Sequence, residues 1–504
     1  MRIREAAVLG ASWLALASPA WGQTADETAA RIAALEAQLA QMQAEIAALR
    51  EQAAEDAAQT APTPAPHAQA ANTAPQITLA NGRPTIRSAD ERFSFALRGT
   101  VQYDAAHYLQ DDPLSDNRRS DAANPADLSS GANFRRARFG FEGTAFSDWN
   151  YALIYELGGS GTEGSQITQA YVEYAGWKPW DDVSLRFRVG AWATPAGLED
   201  ATSNTESLFL ERAAVAELVR GLAGGDGRTG AGIFANGERW YSSLALTGAV
   251  VGNSGEYDEQ SGYLGRLAFL PLSGENYGVH IGASATGVID PADTDPSSAT
   301  SQALRLRERP ELRVDAQRFV DTGSIPSDGL TAYGFELGGY WDSLYLAGEV
   351  FQIDLSRSDG VPDPSFGGWY AQGAYTLTGE RRRWNAANGG FQGIRPNAPF
   401  SLSEGDWGAW EIAARYSVLD LNDNEGGLGL ATPVGGVRGG EQIITTIGLN
   451  WYPNNVVRFL LDYQWVEIDR LDPETSAIVT PVPGVGAQIG QDFEAVSLRS
   501  QVAF

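Results

Sequence analysis

Trp410-Glu411-Ile412-Ala413-Ala414-Arg415-Tyr416-Ser417-Val418 decides the fold. Trp410, Ile412, Ala414, Tyr416 and Val418 fall on one face of this stretch, and Glu411, Arg415 and Ser417 on the other. Successive side chains of a strand point to opposite faces, so period two marks a strand with one apolar and one polar face. The pattern starts at Phe93: Phe93, Phe95, Leu97, Val101 and Tyr103 alternate with Ser94, Arg98, Thr100, Gln102 and Asp104. Phe139, Phe141 and Ala145 oppose Arg138, Glu142 and Thr144; Leu185, Phe187 and Val189 oppose Arg186 and Arg188. Similar segments lie near 149–158, 166–176, 228–236, 239–251, 261–272, 277–289, 303–315, 331–341, 343–355, 367–379, 441–452, 456–468 and 491–504. That makes seventeen candidates of about 9–13 residues. Short turns such as Ser147-Asp148, Asn236-Gly237 and Pro453-Asn454-Asn455 alternate with long polar loops, among them 105–132, 196–227, 290–302, 380–405 and 420–440.

Two architectures use many alternating strands. In a soluble sandwich or propeller the polar face meets water. In a membrane barrel the apolar face meets lipid and the polar face lines a lumen. Several features favour the barrel. The segments match the roughly 9–11 residues of a tilted crossing. Loops are short on one side and long on the other. Trp149, Tyr151, Trp177, Trp180, Trp240, Tyr241, Trp451 and Tyr452 cluster at segment ends, as interface girdles do. The final alternating segment ends on Phe504, the terminal aromatic usual for outer-membrane barrels. The expected fold is therefore all-β: a transmembrane antiparallel β-barrel of about sixteen strands. Bacterial barrels use even numbers, so one of the seventeen candidates is surplus. A barrel of this size encloses an aqueous channel.

Composition narrows the function. The 504 residues include no Cys and only three His (His67, His107, His280), so disulfide scaffolds, thiolate sites and a histidine-built metal centre are not expected. No metal site and no cofactor are read. Basic residues number 36 against 63 acidic ones, for a net charge of −27, which argues against nucleic acid as a partner. Lys178 is the single lysine. No partner for a nucleophilic Ser appears beside His107 or His280, so an enzyme such as a barrel phospholipase is not expected.

The front end is different. Arg2 and Arg4 precede an apolar stretch, Ala6 to Leu16, and the small residues Ser18, Ala20 and Gly22 follow. Residues 1–22 read as a secretory signal cleaved after Gly22, or after Ala20. Ile32, Leu35, Leu39, Met42, Ile46 and Leu49 then recur at spacings of 3, 4, 3, 4 and 3. With Ile32, Leu39 and Ile46 at a, this heptad predicts a short coiled-coil helix over 23–52, and Ile at a permits three strands. The alternative is a helix packed on its own domain, for which a two-position stripe is narrow. Residues 53–76 are Ala- and Pro-rich and read as a spacer. The barrel is assigned to 77–504.

Specific strings in the body resemble the phosphate-selective porin family, the O and P type porins. They include Arg135-Arg136-Ala137-Arg138-Phe139-Gly140, Ala170-Tyr171-Val172-Glu173-Tyr174 and Phe209-Leu210-Glu211-Arg212. Arg309-Pro310-Glu311, Leu377-Thr378-Gly379-Glu380 and Gly448-Leu449-Asn450-Trp451-Tyr452-Pro453-Asn454 follow in order. The resemblance covers about 77–504. It implies a sixteen-stranded, homotrimeric porin of the bacterial outer membrane, with the coiled coil in the periplasm. It also implies contact with outer-membrane lipid and lipopolysaccharide, and passive diffusion of small anions such as phosphate. One departure stands out: phosphate-specific members are expected to use Lys at their central site, and this chain offers only Lys178, beside Trp177 and Trp180.

Alternation alone assigns inward residues. Arg136 and Arg138, Arg186 and Arg188, and a row of Arg305, Arg307 and Arg309 are expected on three strands, with Arg98, Arg415 and Arg458 as single cases. A guanidinium stays charged and offers paired donors to phosphate or carboxylate oxygens, so these are the pore-lining, anion-binding candidates. The other reading is a neutral network in which Glu142, Glu173 and Glu411 satisfy the arginines. Loop 196–227 is expected to fold inward as a constriction carrying Glu211, Arg212 and Arg220. The triplet Arg381-Arg382-Arg383 reads either as a rim contact to lipid phosphate or as a point of solute capture. Two further functions stay open: a general or cation-leaning porin, and a structural anchor whose coiled coil ties the membrane to the cell wall.

Overall fold

The computed structural model describes residues 37–38, 40–50, 74–80, 82–110, 128–159, 165–252, 257–295, 297–298, 301–473, 486 and 488–504. The chain divides into two units, 1–71 and 72–504. In the first, the described residues 40–50 are helical. The signal segment, most of the linker and most of the predicted coiled coil lie outside the described residues.

The second unit is a closed barrel of sixteen antiparallel strands. In chain order they are Ser94–Leu109, Gly131–Ala145, Trp149–Glu156, Gln166–Tyr174, Ser184–Trp192, Arg228–Asn236, Trp240–Val250 and Ser261–Ser273. Tyr277–Asp290, Ile325–Trp341, Leu344–Arg357, Ser365–Thr376, Ala409–Asp423, Val437–Tyr452, Val457–Asp469 and Phe493–Ala503 complete it. Each strand pairs with the next, and the last closes on the first through Gln501↔Gln102 and Val502↔Val101. Closure removes the free edges that hydrocarbon could not solvate.

Alternation becomes two surfaces. Along Leu344–Arg357, Leu344, Leu346 and Val350 are exposed on the outer wall while Tyr345, Ala347, Glu349 and Phe351 are buried inside. Phe335 and Leu337 are 64% and 62% exposed, an arrangement suited to lipid rather than water. Aromatic rings line the short-turn end: Trp149 lies 5.0 Å from Tyr174, and Trp451 stacks on Trp410 and Phe459 at 5.5 and 5.4 Å. Gly99 leaves room on the outer wall for the ring of Phe504, which any side chain there would strike.

The surplus candidate is 303–315. It is not a barrel strand: only Ala303–Leu304 and Arg307–Glu308 make two-residue pairings, inside the connection from Asp290 to Ile325. Arg305, Arg307 and Arg309 therefore do not form a row on the wall. Ahead of the barrel, Gln76–Ala80 and Arg83–Arg87 form a hairpin whose second strand pairs with Ser94–Ala96. Gly82, at φ +73°, makes the turn.

Candidate conduction path and its charged lining

Three long connections fill much of the lumen. The first, 193–227, carries the helix Ala214–Ala223, whose Val215, Leu218, Val219 and Leu222 pack on Leu264, Ile353 and Leu419 of the inner wall. Their spacing is that of a single apolar helix face. Carboxylates receive the loop's amides: Glu349 accepts from the N–H of Leu198 (2.6 Å) and Glu199 (2.9 Å), Asp462 from Leu210 (2.9 Å), and Glu311 from Ala214 (2.9 Å). The expected inward fold of this loop is thus present in detail. The second connection, 291–324, supplies Glu308, Glu311 and Arg313 to the same interior. The third, 377–408, leaves from the end of the short turns, not from the end of the long loops among which the sequence placed it. Its carbonyls at Asn388 and Gly389 cap the Arg266 guanidinium, each at 2.8 Å.

Glu211 is the electrostatic centre of the constriction. Arg135, Arg499, Arg313 and Arg136 approach its carboxylate at 2.6, 3.0, 3.6 and 3.8 Å. Burial alone would push the Glu211 carboxyl up. The four guanidiniums outweigh that and hold it well below the usual carboxylate range. Asp226 is treated the same way: burial opposes, and Arg138 and Arg220 hold its carboxyl low. Glu199 differs, because burial pushes it up against the pull of Arg415. Arg212 reaches Glu217 at 3.1 Å and Asp200 at 3.5 Å; Arg220 bridges Asp200 and Asp226, each at 2.7 Å.

The remaining predicted arginines sort by partner. Arg415 is fully buried between Glu199 and Glu311 (2.9 Å to the latter), over the ring of Phe209. Arg136 donates to Gln102 at 2.7 Å, Arg138 pairs with Glu156 at 2.7 Å, and Arg188 pairs with Glu173 at 2.6 Å. Arg305 is half-exposed and held by Asp321, Arg307 is exposed, and Arg309 is buried with its carbonyl on Gln442. Arg186 bonds the Asn236 amide oxygen at 3.2 Å and the Ala387 carbonyl at 2.9 Å. Arg458 makes long hydrogen bonds, 3.4 and 3.5 Å, to the carbonyls of Thr205 and Leu208, and lies over the Tyr452 ring at 4.8 Å. Among the described residues no carboxylate pairs with Arg186 or Arg458. Arg98 has only Glu142, at 3.7 Å. Arg382 does not reach a lipid rim; it is buried on Glu411 at 2.9 Å.

Two adjoining cavities lie in this charged interior. One of about 180 Å³ is lined by Arg98, Arg136, Arg138, Arg212 and Arg220 with Asp200 and Asp226. The other, about 310 Å³, lies toward the short-turn end and is lined by Arg83, Arg98, Arg395 and Arg458 with Glu206. They share Arg98, Thr100, Ser203 and Thr205. A larger apolar trough, about 850 Å³, is bordered by Phe335, Leu337, Val350 and Trp369 of the outer wall, where hydrocarbon covers such a face.

Several charged residues were missed. Arg266 and Arg499 alternate with outward Leu267 and Leu498, so period two could have found them. Arg83, Arg313 and Arg395 come from the hairpin and the connections, where no period signals direction.

The sequence profile described as "Phosphate-selective porin O and P" matches residues 95–504. The chain belongs to that family. Porin O of Pseudomonas aeruginosa is 27% identical over 409 residues, spanning 77% of this chain and 86% of that protein. A protein of Caulobacter vibrioides is 27% identical over 425 residues, 81% of this chain and 75% of its own. Among solved structures, the trimer form of OmpT from Vibrio cholerae matches with a TM-score of 0.46 at 9% identity, covering 82% of this chain and 99% of that one. An anion-selective porin from Comamonas acidovorans gives 0.44 at 12% identity, over 82% and 100%. As a member of the porin O and P family with a closed barrel, the chain is a bacterial outer-membrane channel for small solutes and not an enzyme. The end of its short turns is the periplasmic one.

Proposed function

We infer that this porin passes small anions, phosphate among them, by passive diffusion, with arginines setting the preference. One observation carries the reading. The two adjoining cavities are lined by eight guanidiniums and three carboxylates, although the chain as a whole carries −27. In a narrow low-dielectric passage the local charge, not the total, sets the free-energy profile of an ion. Pairing tempers the surplus: most of these guanidiniums hold a carboxylate, Arg98 only at 3.7 Å, and Arg458 none among the described residues. Arginine takes the place that lysine is expected to fill in phosphate-specific relatives.

The test is the reversal potential of purified protein in a planar bilayer under a KCl gradient, followed by added phosphate. The expected result is chloride preference with block by low phosphate. Potassium preference without block would establish a general, cation-leaning porin and end the anion reading. Absence of conductance would leave only an anchor. A homotrimer is part of the same proposal, supported by the heptad from Ile32 to Leu49 and by the exposure of Met42, Ile46 and Leu49 on the described helix.

A further inference from the structure

The periplasmic mouth contains a competitor for solute. The cavity there presents Arg83, Arg98, Arg395 and Arg458. Arg395 is spent on Glu206 at 2.6 Å. Arg458 has no carboxylate partner among the described residues, and its buried Nε lacks a hydrogen bond. Arg98 is 43% exposed and borders both cavities, so its guanidinium is presented to solute in either. Its rival ligand is internal: Glu142, on the neighbouring strand, lies within 3.7 Å. A carboxylate that close neutralises the guanidinium as an incoming phosphate or carboxylate would.

Glu142 is held elsewhere. Arg83 Nη2 donates to its Oε1, while Arg98 faces Oε2. Arg83 is itself fixed, with Nε on the Leu97 carbonyl at 3.2 Å and its backbone in a strand that pairs with Ser94–Ala96. That strand belongs to the hairpin, which precedes the residues matched by the family profile. We propose that the N-terminal hairpin tunes anion recognition at the periplasmic mouth: Arg83, as a positioning residue, binds Glu142 and so leaves Arg98 free for solute oxyanions. The inference rests on the anion-passing reading for its functional meaning.

The experiment is a double-mutant cycle on the full-length protein, read as chloride-over-potassium permeability and as the concentration of phosphate that halves the current. R83A is expected to lower the permeability ratio severalfold and to weaken phosphate block. R98A should do the same, and R83A/R98A should be no worse than R98A. In an E142Q background, R83A should have no effect, because the competitor is gone. Additive losses from R83A and R98A, or an unchanged R83A, would overturn the proposal. So would an R83A loss that persists with E142Q, since that means a direct charge effect. If the wild-type pore prefers potassium, the anion reading fails, yet coupled or additive shifts of reversal potential still decide whether Arg83 acts through Arg98. Band position on unheated gels keeps folding separate from permeation.

Discussion

Glu211 shows why a buried acid need not be a liability. Four guanidiniums converge on one carboxylate, so each desolvated charge has an opposite charge at hand. Removing the common partner leaves the buried cluster with an excess of positive charge, although Arg499 keeps Asp104 and Arg313 keeps Glu217, and breaking such a buried pair costs about 3–5 kcal/mol. E211Q is therefore expected to lower the unfolding free energy of the barrel by that order, read as a lower urea midpoint by tryptophan fluorescence in lipid vesicles. Its pH dependence follows from the direction of the shift. A carboxyl held below its unfolded value contributes stability that is present above the unfolded range, about 4.3, and is lost as pH falls through the folded value. Wild type should weaken progressively as pH falls below about 4.3 toward the much lower folded value, and E211Q should flatten that acid limb. Glu211 and Arg212 were legible as loop residues. The convergence on Glu211 was not, because Arg135 and Arg136, Arg313 and Arg499 come from three separated segments.

At the element scale, 303–315 shows the limit of periodicity. Ala303 to Arg309 alternates as a strand does, yet it makes only two short pairings, one with the first residues of the strand Ile325–Trp341 and one with Val320–Asp321 inside the connection. Period two separates two faces but does not say which surface covers them; here Leu306 is buried under the connection itself. The error propagates. Each strand reverses the chain, so one false strand inverts the end from which later connections leave, and 380–405 is accordingly misread as an outer loop. Its true place makes it a periplasmic plug, anchored by Arg266, by the Trp384 indole on His280 at 3.1 Å, and by the Asn388 amide on the Ala201 carbonyl at 2.8 Å. Replacing residues 383–395 by a short Gly-Ser bridge should widen the path while the wall keeps its ladder. The expected outcome is a higher single-channel conductance in planar bilayers with unchanged strand content by circular dichroism. Unchanged conductance would place the bottleneck wholly in 193–227.

For the whole molecule, charge is sorted rather than summed. Acids dominate the composition, while arginines dominate the lining of the two cavities. Exposed guanidiniums are screened by salt over about 10 Å at 0.1 M and 3 Å at 1 M, whereas buried pairs are not. The anion preference is thus expected to fall markedly between 0.1 and 1 M KCl, with much of the fall removed in the R98A variant; a salt-independent preference would point to fixed, desolvated sites. The amino-acid sequence by itself determined the class of fold, the parity of most strands and the inward side of Arg136, Arg138, Arg186, Arg188, Arg415 and Arg458. It could do so because lipid outside and polar interior impose a period of two on every crossing, a local signal. Only the tertiary structure decided which arginines are neutralised, which end each connection occupies and where the two cavities lie. Those depend on residues such as Glu211 and Arg499, 288 positions apart and brought within 3.0 Å by closure of the barrel, and no local period records such a meeting.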